Sequence, residues 1–211
     1  MVRGDSYRQT RLHDERGNRL DLPGLRYVPR VVGEAILRKT VGYRPALPWL
    51  SYRAITAIRG LIGGESRVLE FGSGKSTVWL AGRCGFVSSV EDDPDWFEAV
   101  DQMLRTRQFS NVRLELRPLS TYSDLRADET GTFDFVLVDG MLRDACTEAA
   151  IRAVRQGGSV YLDNTDKDLA EVRDAETRLL RAVEQRGTWA SYFVDFAPGN
   201  AVVIQGLLAR F

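Results

Sequence analysis

The chain has very few cysteine and histidine residues, which form zinc sites and disulfide frameworks. Of its 211 residues only two are cysteine, Cys84 and Cys146, and the single histidine is His13. This count excludes a zinc site of the Cys/His kind, and two cysteines do not make a disulfide framework. Both cysteines fall on helical patterns, so we expect them to be buried and unreactive.

The chain also lacks a charge imbalance and any long apolar run. Its 29 basic and 29 acidic side chains cancel, so no overall field attracts nucleic acid or an anionic membrane. No apolar run approaches the roughly 20 residues that span a bilayer. The start, Met1 to Asp5, lacks the apolar core of a signal peptide. These absences predict a cytoplasmic protein without nucleic-acid or membrane partners.

The most informative stretch is a short apolar strand that ends in a glycine turn and runs directly into a helix. The strand is 68–71, the turn contains Gly72 and Gly74, and the helical pattern covers 75–83. Glycine lets the backbone turn sharply and approach a ligand because it has no Cβ. The free N–H groups at the start of a helix favour a negatively charged group. The stretch therefore predicts a ligand-binding turn.

Three kinds of ligand use such a turn, and the flanking residues separate them. A phosphate-binding P-loop needs a glycine where this chain has Leu69. A dinucleotide fold needs a third small residue where this chain has Thr77. The remaining pattern, Glu70-x-Gly72-x-Gly74, resembles motif I of the class I S-adenosylmethionine (SAM) methyltransferases, in which these residues hold the methionine end of the cofactor. The alternative is a glycine turn that only joins strand to helix.

A second strand, 86–90, ends in the acidic run Glu91, Asp92 and Asp93. A carboxylate at this tip, about 20 residues after the glycine turn, is placed to accept hydrogen bonds from both hydroxyls of a ribose. We predict Glu91 for this role and Asp92 as the next candidate. The alternative is an acidic N-cap for the helix that Pro94 opens, which we expect of Asp93.

The remaining patterns alternate strands with helices and predict one α/β fold. Strands are predicted at 112–116, 133–139 and 159–162, helices at 95–107, 142–155 and 168–185, and a terminal hairpin at 190–196 and 201–208. The fold class is a Rossmann-like, doubly wound, mostly parallel seven-stranded sheet with a C-terminal antiparallel hairpin. Leu119 and Ser120 are predicted to contact the edge of an adenine ring. Trp79 and Trp96 are predicted to pack in the core.

Residues 1–44 differ from the rest because basic side chains outnumber acidic ones and few residues before Leu20 are apolar. We treat them as an N-terminal arm and residues 45–211 as the SAM-binding domain. Two interpretations stay open. The arm is either solvated and partly disordered, or it is a lid that folds over a substrate and contributes arginine, tyrosine or His13 contacts.

Three oxygen-bearing side chains follow the predicted fourth and fifth strands. Asp139 closes the fourth strand, and Asp163 and Asn164 close the fifth. Because the carboxyl ends of neighbouring parallel strands line one crevice, we expect these side chains to lie together. Two carboxylates and an amide suit Mg²⁺, and such an ion lowers the pKa of a bound hydroxyl. The alternative is that each side chain caps the helix after it.

With these motifs, residues 45–208 are similar to the catechol O-methyltransferase branch of the class I methyltransferases and to macrocin-type sugar O-methyltransferases. The resemblance implies Mg²⁺ at Asp139, Asp163 and Asn164. The catechol enzymes place a general-base lysine where this chain has Leu142, so Asp139 or Asp163 is the default base and catalytic residue. The candidate SAM contacts are Glu70, Gly72, Ser73, Gly74, Ser76, Thr77, Glu91, Asp92, Leu119, Ser120 and Asp139.

The resemblance predicts a SAM-dependent, Mg²⁺-assisted O-methyltransferase acting on a hydroxyl of a small molecule. A sugar is the leading acceptor because arginine and tyrosine in the arm suit a polyhydroxylated ligand. Family likeness points to a mannoside, as in mycobacterial methylmannose polysaccharide assembly. The alternatives are a non-catalytic SAM- or nucleotide-binding module and an NAD-dependent oxidoreductase, which Thr77 and the terminal hairpin disfavour. Whether the protein is a homodimer is left open.

Overall fold

The computed structural model describes residues 8–211, so the first seven residues of the predicted arm lie outside the described part. The strands are β1 Arg67–Phe71, β2 Phe86–Glu91, β3 Val112–Leu116, β4 Phe133–Val138, β5 Val154–Asp163, β6 Ala190–Phe196 and β7 Val203–Arg210. The α-helices are α1 Leu22–Leu25, α2 Val28–Val41, α3 Tyr52–Leu61, α4 Lys75–Ala81, α5 Pro94–Thr106, α6 Arg143–Ala153 and α7 Ala170–Arg186.

These strands form one sheet in the order β3-β2-β1-β4-β5-β7-β6. Strands β1 to β5 pair in parallel, and β7 runs antiparallel to both β5 and β6. The predicted fold class is therefore confirmed, including the terminal hairpin. No helix within residues 8–211 combines the length and apolar character needed to cross a bilayer.

Side chains of β1 divide between two apolar layers. Leu69 and Phe71 pack with α6 and α7, whereas Val68 packs with α3 and α4 on the other face. Because side chains alternate along a strand, Glu70 points to the same face as Val68, and it lies beside Ser89 of β2. The sequence of β1 therefore places a carboxylate on the face that α4 covers.

The segment before α3 packs against α3 and the terminal hairpin. Leu20 and Val31 are buried in one apolar cluster with residues of both. The Glu34 carboxylate in α2 accepts a hydrogen bond from the Tyr52 hydroxyl and another, 2.7 Å long, from the backbone N–H of Gly199. The described part of the arm is thus a packed layer. The domain boundary at residue 44 stays a prediction.

Two expectations about buried side chains are confirmed and one is wrong. Cys84 and Cys146 are buried free thiols, and Trp79 is in the core. Trp96, however, is 47% exposed. It lies in the first turn of α5, and its indole N–H donates to the carbonyl oxygen of Ser73 at 2.8 Å. The start of the helix at Pro94 therefore places this ring over the glycine turn instead of in the core.

Candidate functional site

The glycine turn joins β1 to α4 and touches the end of β4. Gly72 has φ 96°, in the left-handed region that L side chains rarely adopt. A Cβ at this residue would lie 2.6 Å from the backbone nitrogen of Gly140. Only glycine therefore allows the tips of β1 and β4 to approach this closely, at the sheet edge where the sequence predicts the site.

The Glu70 carboxylate is fully buried and supports the turn from inside the protein. Its Oε2 accepts hydrogen bonds from Thr77 Oγ1 at 2.6 Å and from Ser89 Oγ at 2.7 Å. Thr77 Oγ1 in turn accepts from the backbone N–H of Gly74 at 2.8 Å. Burial raises the pKa of Glu70 to about 7, against the opposing effect of hydrogen bonds with Ser76, Ser89 and Thr77. Glu70 and Thr77 therefore fix the shape of the turn, and neither side chain reaches solvent.

Glu91 is occupied by hydrogen bonds from the protein itself. Its Oε2 accepts from the backbone N–H of Ser73 at 3.0 Å and from the Ser73 hydroxyl at 2.7 Å. Its Oε1 accepts from the backbone N–H groups of Asp92 at 3.0 Å and Asp93 at 3.1 Å. Because each carboxylate oxygen has about two acceptor sites, Glu91 has little capacity left for a ribose. It ties the glycine turn to the tip of β2.

Asp92 is the carboxylate at this tip that stays available. It is partly exposed, and no other described residue donates a hydrogen bond to its side chain. Burial, followed by the neighbouring charge of Glu91, raises the pKa of Asp92. Asp93 is the N-cap of α5, as predicted, because its side chain accepts from the backbone N–H groups of Asp95 and Trp96. Of the two candidates for the ribose, Asp92 therefore has the less occupied carboxylate, and the ribose role stays a prediction.

The predicted adenine-edging residues lie at the same edge of the sheet. Leu119 and Ser120 are exposed in a single turn of 3-10 helix, Leu119–Thr121, that follows β3. The backbone N–H of Arg117 donates to the carbonyl oxygen of Glu91 at 2.8 Å and so fastens this segment to the tip of β2. Contact of Leu119 and Ser120 with an adenine stays a prediction.

A guanidinium group lies among the side chains predicted to bind Mg²⁺. Nη2 of Arg143 donates to Oδ1 of Asn164 at 3.0 Å and lies 3.4 Å from Oδ1 of Asp139. The same side chain donates to the carbonyl oxygens of Asp163 at 2.9 Å and Gly140 at 3.1 Å. These contacts use most of the five N–H donors of an arginine. Arg143 therefore fastens the tip of β4 to the tip of β5.

As they are placed, the three predicted ligands do not fit a Mg²⁺ ion. The amide of Asn164 has its Oδ1 on Arg143 and its Nδ2 on Oδ2 of Asp163, 2.6 Å away. Asp163 is 1% exposed, and burial together with Asp139 raises the pKa of Asp163 well above its usual range. Mg²⁺ needs accessible carboxylate oxygens and room for water. The sequence brings the side chains together as expected, but the positive charge among them belongs to Arg143.

A pocket of about 410 Å³ opens beside the glycine turn. One wall is the turn itself, at Ser73, Gly74 and Ser76, together with Asp139. The side chain of Asp139 is 26% exposed, and it is the only carboxylate among the described residues that line the pocket. Burial raises the pKa of Asp139 and the charge of Arg143 opposes this rise. A polar ligand can therefore contact the turn and one carboxylate at the same time.

The rest of the lining comes from segments that were not assigned to the site by residue from the sequence. It consists of Arg38, Arg44, Pro45, Leu47, Trp49 and the hairpin turn Pro198, Gly199 and Asn200; Lys75 and Trp96 complete the lining. The basic excess of the arm was the signal for the two arginines, and the lid interpretation stays a prediction. The sequence predicted the hairpin, but nothing in the local pattern indicated that its turn would line the pocket.

Comparison with known proteins agrees on the fold. No family model and no curated protein matches the chain. Cofactor-bound Rv0187 from MTB matches at 24% identity and a TM-score of 0.58, over 90% of this chain and 90% of that chain. A SAM-dependent O-methyltransferase from Thermotoga maritima matches at 14% identity and a TM-score of 0.57, over 84% of this chain and 70% of that one.

A tRNA methyltransferase, TrmI from Aquifex aeolicus, matches at 18% identity and a TM-score of 0.56. The match covers 74% of this chain and 66% of the Aquifex chain, slightly less than two thirds of its length. At identities this low the likeness establishes the Rossmann-like methyltransferase fold, and the activity has to be argued from the site.

Proposed function

We propose that this protein transfers the methyl group of SAM to a hydroxyl of a small polar molecule, with a sugar as the leading acceptor. The observation that carries the proposal is the pocket, because it joins the glycine turn to Asp139. The fold, which is shared with methyltransferases of known structure, supports the proposal. So does the likeness of Glu70-x-Gly72-x-Gly74 to motif I.

In this proposal, different residues bind the cofactor and accept the proton. Asp92 holds the ribose hydroxyls, while Glu70 and Glu91 keep the backbone of the glycine turn in the shape that receives the methionine end. SAM supplies a methyl group on a positively charged sulfur. Asp139 orients the acceptor hydroxyl and accepts the proton that it loses. Arg143 holds Asp139 in place, so the proposal includes no metal ion.

Two observations favour a small polar acceptor: the balanced charge of the chain and the exposed tryptophans beside the pocket. A chain with balanced charge offers no overall attraction to RNA, which favours a small molecule. Trp49 and Trp96 are 63% and 47% exposed beside the pocket, and aromatic faces of this kind are common in sites for small ligands. A mannoside, suggested by family likeness, is the first acceptor to test. A cytoplasmic location stays a prediction, and the oligomeric state stays open.

Calorimetric titration with S-adenosylhomocysteine, NADH and ATP tests the cofactor. We expect only S-adenosylhomocysteine to bind. Binding of NADH in its place would favour the oxidoreductase alternative and would reject the proposal.

Methyl transfer is then measured with labelled SAM and a panel of sugars that includes mannosides. We expect incorporation that falls at least a hundredfold in Asp139→Asn, the range set by loss of a general base. Cofactor binding without transfer to any member of a broad hydroxyl panel would favour the non-catalytic binding module instead.

A further inference from the structure

Three cationic side chains converge on the pocket from three segments of the chain. Arg38 comes from α2, Arg44 from the loop after it, and Lys75 from the start of α4. A guanidinium nitrogen of Arg38 donates to the carbonyl oxygen of Gly199 at 3.1 Å, and Nζ of Lys75 donates to the carbonyl oxygen of Pro45 at 3.2 Å. Gly199 itself packs on Pro45, so that an added Cβ would lie 3.0 Å from the proline ring. These contacts hold Arg38 and Lys75 at one opening, and Arg44, which directly precedes Pro45, lines the same opening.

None of the three cations forms an ion pair with a carboxylate in the described part of the chain. By contrast Arg30, two turns earlier on α2, pairs with Glu34 at 2.9 Å. Partial burial, followed by the charge of Arg44, lowers the pKa of Lys75. Like charges held together without a counter-ion raise the electrostatic free energy of the protein, and an anionic ligand would remove that cost.

The cofactor supplies one carboxylate but no net negative charge. The one carboxylate of SAM is outweighed by its sulfonium and ammonium groups, so bound SAM adds positive charge next to the same pocket. Asp139 is the only carboxylate in the described lining, and Arg143 already lies 3.4 Å from it. The second substrate is therefore the remaining source of net counter-charge for Arg38, Arg44 and Lys75.

We propose that the acceptor carries a phosphate or carboxylate group, which Arg38, Arg44 and Lys75 bind while the hydroxyl to be methylated reaches Asp139. The inference rests on the proposed function and narrows its acceptor to anionic hydroxyl compounds, such as a sugar phosphate or a uronic acid. Guanidinium groups match both oxyanions through paired N–H donors. The three cations thus select the substrate, and Asp139 acts on it.

The test is calorimetry on the full chain saturated with S-adenosylhomocysteine. Inorganic phosphate, glucose 6-phosphate and glucuronate are titrated against glucose, so that phosphate and carboxylate are compared directly. We expect at least one of the anions to bind tenfold or more tightly than glucose, and Arg44→Gln or Lys75→Gln to remove most of that difference. Lys39→Gln is the matched control, because Lys39 is exposed next to Arg38 on α2 and does not line the pocket.

Three results would overturn the inference: equal binding of glucose and all three anions, an equal loss in the Lys39 variant, or variants that weaken only the cofactor. The last case is recognised with 5′-methylthioadenosine, which lacks the carboxylate of S-adenosylhomocysteine. If the cations serve the cofactor, Arg44→Gln weakens S-adenosylhomocysteine and leaves methylthioadenosine unchanged. Failure of the proposed function is a separate observation, namely no binding of S-adenosylhomocysteine to the unmodified protein.

Discussion

Nη2 of Arg143 lies 3.0 Å from Oδ1 of Asn164, and this contact joins the start of α6 to the residue that follows β5. The same nitrogen lies 3.4 Å from Asp139 at the end of β4. The protein thus carries a fixed positive charge between two strand tips that both bear acidic side chains. Neighbouring carboxyl groups repel each other when ionised, and Arg143 offsets that repulsion without a divalent cation.

Replacing Arg143 with alanine should lower the free energy of unfolding by about 2–3 kcal/mol, because a mostly buried acidic pair loses its cation. Urea denaturation measures the change. Arg152→Ala, on the exposed face of the same helix, is the control, with an expected change below about 0.5 kcal/mol. Equal effects in the two variants would mean that Arg143 does not hold the strand tips together.

The protein should bind no divalent cation at this position. We expect the electron paramagnetic resonance signal of added Mn²⁺ to stay that of the free ion, and EDTA to leave the affinity for S-adenosylhomocysteine unchanged. The reason is that the oxygens of Asn164 and Asp139 contact Arg143. A bound Mn²⁺ signal that disappears in Asp139→Ala would restore the metal site inferred from the sequence.

Glu70 should make stability fall as pH rises through a defined window. Its pKa is raised from 4.5 to about 7 by burial, so between these values the folded chain keeps a proton that the unfolded chain has lost. The native state then binds more protons, and stability decreases with increasing pH. Residue 70 cannot titrate in Glu70→Gln. Relative to this variant, the free energy of unfolding of the wild type should fall by up to about 3 kcal/mol between pH 5 and pH 8.

Urea denaturation of both proteins across this range provides the measurement. Other titrating groups cancel in the difference between wild type and Glu70→Gln. A difference that does not change with pH would show that Glu70 ionises in the folded chain as it does in the unfolded one.

Two neighbouring acids should have separable effects when each is replaced by its amide. Asp92→Asn should weaken S-adenosylhomocysteine at least tenfold with little change in melting temperature, since no other described residue donates to this side chain. Glu91→Gln should mainly destabilise the fold by about 1–3 kcal/mol, because its oxygens accept from four donors. Calorimetry measures the affinity for S-adenosylhomocysteine, and thermal unfolding measures the stability of the same samples. Weaker binding in Glu91→Gln together with a lower melting temperature in Asp92→Asn would return the ribose role to Glu91.

The same glycine-to-alanine change should have opposite effects at two positions. Gly72→Ala should destabilise the protein by at least about 1–3 kcal/mol, because φ is 96° and the new Cβ meets the Gly140 backbone. Gly60→Ala, in α3 with no atom within 4 Å of the new Cβ, should be neutral or stabilising by up to about 1 kcal/mol. Thermal unfolding measures both, and a tolerated Gly72→Ala would mean that the turn can relax.

The sequence predicted the positions of the strands better than it predicted the contacts of the side chains at their ends. Short apolar runs bounded by turn residues located every strand of the sheet, although β5 begins at Val154, inside the helix predicted at 142–155. Asp93 was recognised as an N-cap because capping depends on residues a few positions away. The hydrogen bonds that Glu70 and Glu91 accept from the protein were not predicted, for a non-local reason. Whether a carboxylate faces a ligand or a hydroxyl depends on the neighbouring strand and helix, here Ser89 and Thr77 for Glu70.

By itself the sequence determined the fold class, the glycine turn and the set of acidic residues at the strand tips, because these follow from local periodicity and from the backbone freedom of glycine. Only the tertiary structure decided which acids stay available to a ligand, that Arg143 supplies the positive charge between Asp139 and Asn164, and that Arg38 and Lys75 share a pocket. These features depend on distances between residues far apart in the chain, which the packing of the sheet, helices and hairpin sets.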